Sequence, residues 1–132
     1  MSHEDQQLHW RWRNDAVEAI ARRLDMAGFG VKALYLIGSV KTGQAGPCSD
    51  IDLLAHCVSD QGRQELLTAW CNGCGHALAV INEKKTGYPV KGSLIDLHII
   101  TDADIAKGSP FAAMLESVDN PARLLRKCEG NE

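Results

Sequence analysis

The chain has 132 residues, 45% of them hydrophobic, which suits one soluble domain around a single core. Fourteen Lys and Arg against seventeen Asp and Glu leave a formal charge of −3, so the basic excess of a general nucleic-acid binder is absent. No apolar run approaches the roughly 20 residues of a membrane span, and MSHEDQQLHW opens polar and acidic, unlike a secretory signal; a cytoplasmic protein without membrane association is expected.

From Asp5 to Met26, the residues Val17, Ile20, Ala21 and Leu24 recur at helical spacing. This predicts an amphipathic helix over about 5–26, ended by Gly28 and Gly30. Ala33 to Ile37 is a short apolar run closed by Gly38 and Ser39, the pattern of a buried strand that turns sharply. A second strand is expected over Asp50 to Cys57. Beyond it, Leu66, Leu67, Trp70, Cys74, Ala77, Leu78 and Ile81 mark one face of a long helix. Gly73 and Gly75 oppose that helix by about 1 kcal/mol each relative to alanine, and a break near Gly73 is the weaker alternative.

The segment GSLIDLHIIT is strand-like, with Ile95, Leu97 and Ile99 on one face and Asp96 and His98 on the other. The remainder, over about 102–127, reads as short helices interrupted at Gly108 to Pro110 and at Pro121. No repeat or linker divides the chain, so residues 1–132 are expected to form a single domain.

Two carboxylates inside an apolar strand need a reason. Residues i and i+2 of a strand share a face about 6.5 to 7 Å apart, so Asp50 and Asp52 should project together while Ile51 and Leu53 face the core. Parallel carboxylates repel unless cations sit between them, and hard oxygen ligands suit Mg²⁺ or Mn²⁺. Two-metal phosphoryl-transfer sites use such pairs with a third carboxylate from a neighbouring strand, for which Asp96 is the natural candidate. Gly38 and Ser39, ending the preceding strand, let backbone N–H groups and a hydroxyl approach a phosphate. The expected ligand is a triphosphate with its metals.

The pattern G-S, ten residues, then D-I-D, followed by an apolar-flanked Asp, resembles the nucleotidyltransferase superfamily of DNA polymerase beta, above all its small minimal members. The resemblance covers about residues 31–101. It implies an α/β (α+β) fold, a small mixed sheet flanked by helices. It also implies that Gly38 and Ser39 contact the nucleotide phosphates, and that Asp50, Asp52 and Asp96 are catalytic and hold two divalent ions, Mg²⁺ or Mn²⁺. KKTGYPVKG and LHIITDADIAKGSPFA add a weaker likeness to nucleotidyltransferase domains joined to phosphoenolpyruvate synthase-like proteins. Many minimal members read G-S-x-A-R-G, whereas Thr42 stands here at the arginine position and Lys41, one residue earlier, is the candidate for that charge.

The resemblance implies transfer of a nucleotidyl group, with ATP the expected donor and adenylyl the expected group, to a hydroxyl on a small molecule or a protein. An antitoxin-like module pairing with a helical toxin, and a degenerate nucleotide sensor, are the alternatives. A protein partner or a homodimer would complete the cleft of so short a chain.

Other features read more plainly. Cys48, Cys57, Cys71, Cys74 and Cys128 are an odd set that suits reduced thiols. Cys71 and Cys74 lack the further ligands of a zinc site and belong on a helix face. Trp70 is a core residue, and the roles of Trp10 and Trp12 stay open. Arg11, Arg13, Arg22 and Arg23 share a helix with Asp15, Glu18 and Asp25 and read as a solvated face. His98 is a candidate to touch the acceptor or assist proton transfer, with a plain strand-surface histidine the preferred reading.

Overall fold

The computed structural model describes residues 3–38, 45–116 and 122–129. Where one helix is expected over 5–26, two precede the first strand: α1 (His3–Arg23) and the single turn α2 (Met26–Phe29). The break is local. Asp25 leaves helical geometry and its carboxylate accepts from the Gly28 N–H at 3.1 Å, which caps a new helix start. Gly30, at φ 69°, then ends that turn in the left-handed region.

The apolar runs form β1 (Val31–Ile37) and β2 (Ile51–Cys57), which pair antiparallel. Next come α3 (Gln61–Thr86) and β3 (Ile95–Ile100), which lies parallel to β2. A parallel pair needs a crossover connection, and α3 is that connection. After α4 (Asp102–Lys107) and α5 (Pro110–Glu116) the chain ends in β4 (Arg123–Lys127), antiparallel to β1. The result is a mixed sheet ordered β3-β2-β1-β4.

β4 corrects the expectation of helices through residue 127. The backbone groups of 123–127 pair instead with the edge that β1 offers along Ala33 to Leu36. Arg126 adds hydrogen bonds to the carbonyls of Ala21 and Leu24, at 2.9 and 2.8 Å. A cation there also suits the C-terminal dipole of α1.

α3 runs unbroken from the Asp60 cap, whose carboxylate accepts from the Arg63 N–H at 3.2 Å, to left-handed Gly87. Its buried face is rotated from the expected one. Leu67, Cys71, Gly75, Leu78, Ala79 and Asn82 are buried, while Leu66 and Ile81 are exposed. Gly75 sets the rotation: a Cβ there would overlap Ser93 Oγ, and its carbonyl accepts from the Leu94 N–H at 2.9 Å. The glycine that weakens the helix is what lets α3 lie against the start of β3.

The sheet separates two apolar clusters. On one face Val17 and Ala21 of α1, Leu24 just after it, and Leu67, Cys71 and Leu78 of α3 pack on Leu34, Leu36, Leu53 and Ile95, with Trp70 half-buried beside them. On the other face, Ile37, Leu54 and Ile100 pack with Ala112 and Phe111 of α5. Among the described residues no helix is long and apolar enough to cross a membrane.

Candidate metal and nucleotide site

The second face carries the carboxylates. Parallel register makes Asp52 the partner of Asp96, and Leu54 that of His98. Side chains of partnered residues on adjacent strands point to one face, so Asp52, Asp96 and His98 converge. Their donor atoms all lie within 4.8 Å of one another. His98 Nε2 is 3.3 Å from Asp96 Oδ2 and 4.0 Å from Asp52 Oδ1. The imidazole is held by stacking on Phe111, with ring centroids 4.2 Å apart and planes 23° apart. His98 is therefore one of the three side chains that converge here. The signal for it was its place two residues beyond Asp96, on the same face.

Asp50 departs from expectation. The ladder starts at Ile51, whose N–H donates to the Leu94 carbonyl at 2.8 Å, and Asp50 is the exposed last residue of the preceding loop. It is not among the three side chains that converge, although its charge reaches them. Burial raises the Asp52 carboxyl above its ordinary value, and the charges of Asp96 and Asp50 push the same way, with His98 opposing. Asp50 is raised by burial and by Asp96, while Arg13 pulls it down. The group repels itself, as acids do when placed together without a cation.

Gly38 follows β1 at φ 78°. A Cβ at that position would overlap Asp52 Oδ2, so glycine is required both by the backbone and by the neighbouring carboxylate. Ser39 and Lys41, with Thr42, lie outside the described residues.

Arg13 corrects the expectation of a solvated arginine face. It is fully buried on α1. Its Nε donates to the Ser49 carbonyl at 3.0 Å, and its Nη2 to the Pro47 carbonyl at 3.2 Å and to Asn82 Oδ1 at 2.9 Å. Burial lowers the guanidinium to about 10, which leaves it charged at neutral pH. The signal was positional: Arg13 precedes Val17 by one helical turn on the buried stripe of α1, as Asn82 follows Leu78 on α3.

Cys71 is buried, and burial pushes its thiol up to about 12. Among the described residues one group of three side chains, Asp52, Asp96 and His98, could hold a metal. The donor set fits a divalent ion. Two hard carboxylates and one imidazole suffice to anchor Mg²⁺ or Mn²⁺, and Asp96, with its side chain 55% exposed, leaves an approach open.

The nucleotidyltransferase domain family matches residues 16–87, more than half of the chain. That span runs from within α1 to the end of α3 and includes Gly38, Asp50 and Asp52, and it stops before Asp96. A solved structure described as "a putative nucleotidyltransferase from Sulfolobus solfataricus" is similar over 94% of this chain and 85% of that chain, at 16% identity and a TM-score of 0.37. No curated protein matches the chain. The mixed sheet flanked by helices and the span of the domain match lead to one assignment: the chain belongs to the nucleotidyltransferase domain family.

Proposed function

We propose that the protein is a metal-dependent nucleotidyltransferase that moves a nucleotidyl group, adenylyl from ATP in the first instance, to a hydroxyl of a small molecule or a protein. The observation that carries this reading is the parallel pairing of Asp52 with Asp96, with His98 against both and Gly38 against Asp52. Asp52, Asp96 and His98 would hold one divalent ion, and Asp50 would join Asp52 in holding the second. Such ions supply charge neutralisation for a triphosphate and a lowered pKa for an acceptor hydroxyl. The imidazole nitrogen favours Mn²⁺ over Mg²⁺, which prefers an all-oxygen shell.

The chain's own residues set the geometry. The sheet ladder fixes the backbone of Asp52 and Asp96, so their side chains leave adjacent strands from set positions on one face. Gly38, lacking a side chain, sits close beside Asp52 Oδ2, and it and Ser39 are the residues that would contact the phosphates. Lys41 would add a point charge there in place of the arginine absent at Thr42. That replacement supports a second reading, a domain that binds nucleotide as a sensor without turnover.

Calorimetry of the four nucleoside triphosphates with Mg²⁺ or Mn²⁺ tests the site, on wild type and Asp50→Asn/Asp52→Asn. Binding by the wild type that the double variant loses is expected. Equal binding by both would remove the aspartates from the site. Pyrophosphate release that Asp96→Asn abolishes marks the enzyme, and binding without release marks the sensor.

A further inference from the structure

Among the described residues, Arg13 and Asn82 are the only buried polar side chains. A buried cation is costly unless it is paired or fully hydrogen-bonded, and among the described residues no carboxylate forms an ion pair with Arg13. Its partners are neutral carbonyls instead. The fork spans Pro47 and Ser49, which flank Cys48, and the Asn82 amide on α3. Asn82 Nδ2 in turn donates to the same Pro47 carbonyl at 2.8 Å. Two helices thus grip one short loop through a shared carbonyl.

That loop ends at Asp50. The turn is tightened from within by Ser49, whose N–H donates to the Gly46 carbonyl at 3.2 Å and whose Oγ accepts from the Gly46 N–H at 2.7 Å. Asp52 and Asp96 receive their positions from the ladder between β2 and β3, but Asp50 lies before the ladder begins. Something other than the sheet has to place its carboxylate. The carbonyl groups gripped by Arg13 include that of Ser49, the peptide bonded directly to Asp50.

We infer that Arg13, seconded by Asn82, is a positioning residue that holds the 46–49 loop and thereby aims Asp50 at the second ion of the site. The inference rests on the metal-dependent reading given above. It requires a fork and not merely a charge: a lysine ammonium would occupy the same space as a single point donor, without bridging two carbonyls and an amide in one plane. Trp12, whose ring lies 4.8 Å from the guanidinium carbon, covers the fork on one side.

The experiment is a double-mutant cycle read by Mn²⁺ binding, using electron paramagnetic resonance with the nucleoside triphosphate that the wild type binds. The chains are wild type, Arg13→Lys, Asp50→Asn, the pair together, and Asp52→Asn as control, each with its Tm. Arg13→Lys is expected to weaken the second Mn²⁺ by about 10- to 100-fold, the usual effect of losing a group that orients a ligand. It should match Asp50→Asn, and the double variant should be no weaker than either.

Asn82→Ala removes one of the two donors to Pro47 and one acceptor of the fork but keeps the bonds from Arg13 to Pro47 and Ser49, so it should shift the same ion less. If Arg13→Lys does not fold, Asn82→Ala carries the cycle in its place. Wild-type affinity in the folded variant, or losses that add to those of Asp50→Asn, would overturn the inference and leave Arg13 a packing residue. A wild type that binds no Mn²⁺-nucleotide, or binds it regardless of Asp52→Asn, would instead overturn the proposed function on which the inference stands.

Discussion

Asp52 and Asp96 are direct partners across β2 and β3, so their carboxylates stand one strand spacing apart on the same face with like charges opposed. The ladder that holds them is set by the apolar residues between them, not by the acids. Burial and the charge of Asp96 raise the Asp52 pKa above the ordinary value of 3.8.

A folded-state pKa above the unfolded one means that the folded chain binds the extra proton. Stability from this group is therefore complete below the unfolded value and declines as pH rises through the folded value. Without metal, Asp52→Asn should unfold at a higher temperature than wild type at pH 7, and the gap should close as pH falls toward 4. Adding Mn²⁺ should raise the Tm of the wild type and leave that of the variant in place. Scanning calorimetry at the two pH values decides it; a variant less stable than wild type at pH 7 would show that the ionised pair is already satisfied.

Gly38→Ala tests the contact between the turn and the carboxylate. A side chain in the left-handed region costs about 1–2 kcal/mol, and the new methyl must also displace Asp52 Oδ2. The expected result is a lowered Tm together with Mn²⁺ affinity reduced by about tenfold or more. Unchanged affinity in a folded variant would separate Gly38 from the metal site.

The two glycines inside α3 should respond in opposite directions. Gly73 is exposed, and a methyl added there would have nothing within 4 Å, so Gly73→Ala should stabilise by about 0.5–1 kcal/mol through helix propensity. Gly75→Ala would drive a methyl into Ser93 Oγ and toward the Ile95 nitrogen, and overpacking of this kind costs about 1–3 kcal/mol. Urea melts of both variants measure the contrast, which would vanish if α3 could slide away from β3.

Thiol reactivity should follow burial. Cys48 is exposed on the loop before Asp50, whereas burial pushes Cys57 up to about 11 and Cys71 up to about 12. Thiolate is the reactive form, so an aromatic disulfide reagent at pH 8 should label Cys48 ahead of Cys57 and Cys71 in the native protein. Prompt labelling of Cys71 would place α3 in a different rotation.

Much of the fold was legible because its periodicities are local. Alternation in LIDLHII and the apolar run in ALYLI announce strands whatever surrounds them, and the strand reading already set Asp96 and His98 on one face. The face of α3 was misjudged because Leu66 and Ile81 are apolar by composition yet exposed, while the buried positions include a glycine and an asparagine chosen by their neighbours. β4 escaped for a related reason: RLLRK has no strand pattern of its own and becomes one only beside the open edge of β1.

The same division runs through the site. The sequence alone determined that Gly38, Asp52 and Asp96 belong together, since the motif spacing and the two-residue period of a strand are properties of the chain itself. Only the tertiary structure decided that His98 joins Asp52 and Asp96, that Asp50 stands outside the ladder, and that Arg13 is buried against the loop before it. Those outcomes depend on parallel register and on which helix face meets the sheet, and both are set by contacts between residues far apart in the chain.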